Sequence, residues 1–121
     1  MTQKKQISPN HWSEFLEDFS TRNNNRRARF QIFKGSNSEE EIREAHFETA
    51  SIKDEGKSKT VTVVRIDRTE ANADKIHDTI TNVIGITIQY DTDGSEAALE
   101  INDKENELVV LRFESEVDGV S

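Results

Sequence analysis

Three histidines, one carboxylate-rich loop and one run of arginines are the parts of this sequence whose side chains could do chemistry. In "EAHFE", His46 stands between Glu44 and Glu48. On a strand, that alternate spacing puts all three on one face, an arrangement able to hold a metal ion or to pass protons. His77 lies beside Asp78, and His11 lies in the first turn of a helix. Glutamate and histidine on an exposed strand face are ordinarily solvated, and that is the preferred reading. A small enzyme or metal-dependent protein using His46 or His77 with nearby carboxylates is the alternative. The chain has no cysteine nucleophile, Gly-x-Ser-x-Gly elbow, glycine-rich phosphate loop or His-Glu-x-x-His pair. Glu17 with Asp18, and Glu39 to Glu41, read as solvated charge rather than as a glycosidase pair. No catalytic residue, metal ligand or cofactor is therefore assigned.

The loop "QYDTDGSEAALE" places Asp91, Asp93, Gly94 and Glu100 where a calcium-binding EF-hand has its third, fifth, sixth and twelfth positions. Its first position would be the neutral Gln89, and its eighth, normally apolar, would be Glu96. Strand-like segments flank it where an EF-hand needs helices. The preferred reading is a hairpin turn between Tyr90 and Glu96, with Asp93 and Gly94 serving turn geometry.

The run "RNNNRRARFQIFK" carries Arg22, Arg26, Arg27, Arg29 and Lys34 with no acid among them, in a chain of formal net charge -8. One reading makes Arg26, Arg27 and Arg29 a contact for an acidic protein surface or a small anion. Arg27 and Arg29 share a strand face when Phe30 points to the core. The preferred reading is an edge strand guarded by positive charge against pairing with other chains. The overall negative charge opposes nucleic acid as the ligand.

These groups need a scaffold, and 121 residues suit a single domain spanning 1–121. Hydrophobic residues at 32% and charged residues at 33% make it a very polar one, with frayed tails expected at 1–6 and 115–121. Absence of cysteine and of any long apolar run fits a soluble, cytoplasmic protein with no membrane partner. Ser8 and Pro9 announce a helix over about Pro9 to Thr21, whose Trp12, Phe15, Leu16 and Phe19 form one apolar stripe. That stripe is expected to cover a sheet. Period-two patterns follow at 28–32, 49–53, 59–66, "KIHDTI", "VIGITIQY", "AALEINDK" and "ELVVLRFE", with Ile84, Ile86 and Ile88 on one apolar face. Residues 39–45 have helix-forming residues without a full stripe, and "DRTEANAD" reads as a loop. The expected fold is α+β, with an N-terminal amphipathic helix packed on a curved antiparallel sheet or open β-barrel of about six strands.

The order "W..FL..FS.R" from Trp12 to Arg22, "SIKDEGKSKTVTV", "IHDTI" and "DGSEAALEI....LVVLRF" resembles a family of small bacterial proteins catalogued as a domain of unknown function. These motifs are hydrophobic anchors and turns. The resemblance implies a small bacterial cytoplasmic protein and brings no catalytic residue with it. Together with the basic run, it leads to the expectation of a non-enzymatic accessory or protein-interaction module.

Overall fold

Apolar residues at helical spacing, followed by a long succession of alternating segments, become one helix and one sheet in the computed structural model, which describes residues 3–34, 37–56, 58–67 and 74–114. The elements are β1 (Gln3–Ile7), a 3-10 turn (Pro9–His11), α1 (Trp12–Asn23), β2 (Arg27–Lys34), β3 (Asn37–Glu55), β4 (Ser58–Asp67), β5 (Asp74–Ile80), β6 (Val83–Tyr90), β7 (Glu96–Asp103) and β8 (Glu107–Phe113). The eight strands form one open antiparallel sheet in the order β1-β6-β7-β8-β2-β3-β4-β5. Although far apart in that order, β4 and β6 approach within 8 Å between Cα atoms, so the sheet curls. No helix among the described residues is long and apolar enough to cross a membrane.

Pro9 sits at the first position of the 3-10 turn, where its missing N–H costs nothing, and the His11 amide donates to the Ser8 carbonyl at 2.8 Å. Ser8 makes no side-chain capping bond, and the α-helix proper begins at Trp12 and runs two residues past the expected Thr21. Trp12, Leu16 and Phe19 are buried while Phe15 packs partly exposed against the core. The Phe19 ring lies 5.4 Å from that of Phe47 on β3 and 5.6 Å from that of Phe113 on β8. Trp12 Nε1 donates to the Ile7 carbonyl at 2.8 Å, which satisfies the indole and ties the helix to β1. The aromatic stripe is therefore core.

Five expectations change. The sheet has eight strands rather than about six. One of the additions is β1: residues Gln3 to Gln6, expected to be a loose tail, pair with β6 from Gln3 opposite Tyr90 to Ile7 opposite Ile86. The ambiguous stretch 39–45 belongs to the nineteen-residue β3, because pairing with β2 decides a segment whose local preference was for helix. Ile84 is 53% exposed, since a register shift between Val83 and Gly85 turns it away from the buried face of Ile86 and Ile88. Finally, β2 lies inside the sheet between β8 and β3, so its arginines guard no edge. The loop expected at 68–73 and the tail at 115–121 lie outside the described residues.

Candidate anion-binding groove

The polar residues that the fold gathers most tightly lie where the end of α1 meets the start of β7. Arg22, in the last turn of the helix, and Arg26, in the short link to β2, both turn toward Glu96. Glu96 reaches them through a β-bulge. From Leu99 and Ile101, strict alternation would aim Glu96 away from the core. The register moves from Gln89 opposite Ala98 to Tyr90 opposite Glu96, leaving Ala97 as the extra residue, and this puts Glu96 on the inner face. Its side chain is only 9% exposed.

Arg22 holds this carboxylate with a two-pronged contact, Nε to Oε1 and Nη2 to Oε2, both at 2.8 Å. Asn23 Nδ2 adds a third bond to Oε1 at 2.9 Å. Burial pushes the Glu96 carboxyl up, but the bonds from Arg22 and Asn23 and the charges of Arg22 and Arg26 outweigh it and hold the group below the usual carboxylate range. The Arg22 guanidinium is correspondingly raised by its bond to Glu96.

Arg26 is held differently. Its Nη1 donates to Asn23 Oδ1 at 2.9 Å and to the Glu96 carbonyl at 2.7 Å, and its guanidinium lies 4.4 Å from the centroid of the Phe113 ring. Its buried Nε has no hydrogen-bond partner among the described residues. A carboxylate accepts from Arg22, whereas Arg26 is fixed by neutral acceptors and a ring.

These residues form one wall of a groove of about 710 Å³ that is also lined by Lys5, Ile7, Phe15, Tyr90, Asp91 and Asp93. Lys5 pairs with the buried Ile88 and so faces inward. The turn at the groove's rim is closed by the Asp91 amide donating to the Ser95 carbonyl at 2.8 Å and the Gly94 amide to the Asp91 carbonyl at 3.0 Å. Gly94 adopts φ 88°, as the expected hairpin requires. Asp93 Oδ1 accepts from the Ser95 hydroxyl at 2.7 Å and amide at 3.0 Å, which lowers its pKa. The "DTDG" loop is a strand-to-strand turn.

The three arginines named from the sequence do not form one patch. Arg27 and Arg29 share the exposed face of β2, as their spacing requires, and there both meet Glu114, at 3.5 and 3.2 Å. Ala28, between them in sequence, and Phe30, after Arg29, point into the core. Arg26 alone joins the groove. His46 is half-buried on β3, with Nδ1 lacking a hydrogen-bond partner among the described residues, while Glu48 pairs with Lys75 at 3.2 Å. The side chain of Glu44 lies outside the described residues. His77 is exposed on β5, opposite Val64. Neither histidine lines the groove, and among the described residues no three His, Asp or Glu side chains are grouped to hold a metal.

Sequence reading missed Asn23 and Glu96. A polar Asn and two arginines spaced over the last helical turn and its exit, opposite a glutamate entering an apolar strand, are the only signal they leave. No family model matches the chain, and no curated protein or solved structure matches it. The resemblance to a bacterial family of unknown function draws no support from these comparisons.

Proposed function

We propose that the protein is a non-enzymatic interaction module that takes an acidic group of its partner into the groove beside Arg26. The observation that carries this reading is the unequal use of two neighbouring guanidinium groups. Arg22 has its carboxylate, while Arg26 is anchored through Nη1 and Phe113 with Nε lacking an acceptor. A guanidinium held in place by its surroundings, with no carboxylate of the chain bonded to it as Glu96 is to Arg22, loses little further freedom when an anion binds. Lys5 adds a second positive charge to the same groove. An accessory protein of the bacterial cytoplasm, as the resemblance implies, would meet such acidic groups on other proteins.

The test is fluorescence anisotropy with a labelled hexapeptide carrying one glutamate flanked by leucines against wild type, Arg26→Gln and the double variant Arg27→Glu/Arg29→Glu. Binding is expected to be lost in Arg26→Gln and kept in the double variant. It should also weaken as salt rises through about 0.1 M, where the screening length is near 10 Å. Equal binding by wild type and Arg26→Gln overturns the reading.

A further inference from the structure

Resting on that reading, we infer that the groove selects an apolar monocarboxylate, a single carboxylate carried within a few bonds of an aromatic or branched apolar group, over phosphates and over small polar acids. The lining is of two kinds, apolar and charged. Phe15 and Tyr90 are only partly buried and pack on the core, and with Ile7 they give the groove an apolar surface beside Arg26 and Lys5. An acid without an apolar body leaves that surface wet; an aromatic or branched group on the same ligand covers it.

The charges at the rim limit the anion to one negative unit. Asp91 and Asp93 line the same groove as the cations, and Glu96 already occupies Arg22. Asp93 is held ionised by its bonds from Ser95, so the rim keeps its negative charge at neutral pH. A phosphate dianion would meet this rim within a chain of formal net charge -8, whereas a carboxylate brings half the charge and matches the planar guanidinium edge. The volume of about 710 Å³ exceeds what a lone anion fills and suits an anion with a body attached. Two sources present the same chemistry: a free aromatic acid, and the C-terminal residue of a partner chain ending in an apolar side chain.

The experiment is an NMR titration of the ¹⁵N-labelled protein with 3-phenylpropionate, acetate, inorganic phosphate, and a tetrapeptide ending in phenylalanine as its free acid and as its amide. Shifts are expected at Phe15, Tyr90 and the Asp91–Glu96 turn with 3-phenylpropionate and with the free-acid peptide. Acetate, phosphate and the amide are expected to bind at least about tenfold more weakly, the factor that burial of one aromatic side chain can supply. Binding by 3-phenylpropionate but not by the peptide assigns a free acid, and the reverse assigns a chain terminus. Lys5→Gln and Arg26→Leu should each weaken the favoured ligand at least about fivefold. Lys5→Gln alone carries that arm if Arg26→Leu does not fold. Acetate or phosphate binding as tightly as 3-phenylpropionate overturns the selectivity while leaving the acidic-group reading standing. Absence of groove shifts with every anion overturns both.

Discussion

Arg22 and Glu96, 74 residues apart in the chain, are joined by two parallel hydrogen bonds of 2.8 Å that clamp the end of the helix to the start of β7. The clamp has a pH signature. Glu96 has a folded pKa below its unfolded value of about 4.3, so its contribution is complete above that value and is lost as pH falls through the folded pKa. Denaturant midpoints of wild type and Glu96→Gln should differ at pH 7 and converge on acidification. With Arg22 48% exposed, much of the attraction is screened, and the difference at pH 7 should be about 1–2 kcal/mol. A difference that is constant down to pH 2 contradicts the assignment.

Trp12→Ala should destabilise by about 3–5 kcal/mol, because the indole is 3% exposed and its loss leaves a cavity between helix and sheet. Trp12→Phe keeps most of the ring, loses the 2.8 Å bond to the Ile7 carbonyl, and should cost about 1–2 kcal/mol. Urea denaturation followed by circular dichroism separates the two.

Gly94→Ala meets no steric obstacle, since nothing lies within 4 Å of the added methyl, yet φ 88° is strained for an L side chain. The expected cost is about 1 kcal/mol, read from the thermal midpoint. In the same loop, calorimetry with Ca²⁺ should show no site tighter than about 0.1–1 mM. A micromolar site abolished by Asp93→Asn would contradict the hairpin reading.

Arg27→Glu/Arg29→Glu sets new carboxylates against Glu114 on an exposed face. Its stability loss should stay near 1 kcal/mol and shrink with added salt, as expected for surface pairs. A loss of several kcal/mol would show these arginines to be structural.

Arg65 is fully buried on β4, 3.2 Å from Asp78 and 4.2 Å above the Phe30 ring. Arg65→Ala removes packing and a charge partner together and should cost about 3–5 kcal/mol. Arg65→Met, which keeps the stem against Phe30, should cost distinctly less. Equal losses in chemical denaturation would put the weight on charge rather than on packing.

The fold was legible where one period ran undisturbed. Trp12, Leu16 and Phe19 mark the helix, and β6, β7 and β8 coincide with the alternating segments that announce them. Legibility failed at four places, two of them for a shared reason. The shifts at Gly85 and Ala97 each break the period, so Ile84 faces out and Glu96 faces in, both against their alternation. The short polar β1 carries almost no apolar signal and takes its conformation from β6. In sequence Arg26 forms one run with Arg27 and Arg29, yet it precedes the strand and its direction is set by Asn23, Glu96 and Phe113.

The sheet order has a consequence for synthesis. The central position of β2 is completed by β8, with Ala28 opposite Phe113, so the strand that follows the helix gains its second neighbour from the last strand of the described chain. At roughly 5–20 residues per second, the interval between translation of Phe19 and of Phe113 is on the order of five to twenty seconds. During that interval the helix's aromatic face lacks the β8 ring that it packs against in the finished protein. A nascent chain stopped before β8 has β2 paired on its β3 side alone, leaving an open strand edge beside the part of the helix face that Phe113 covers in the finished protein.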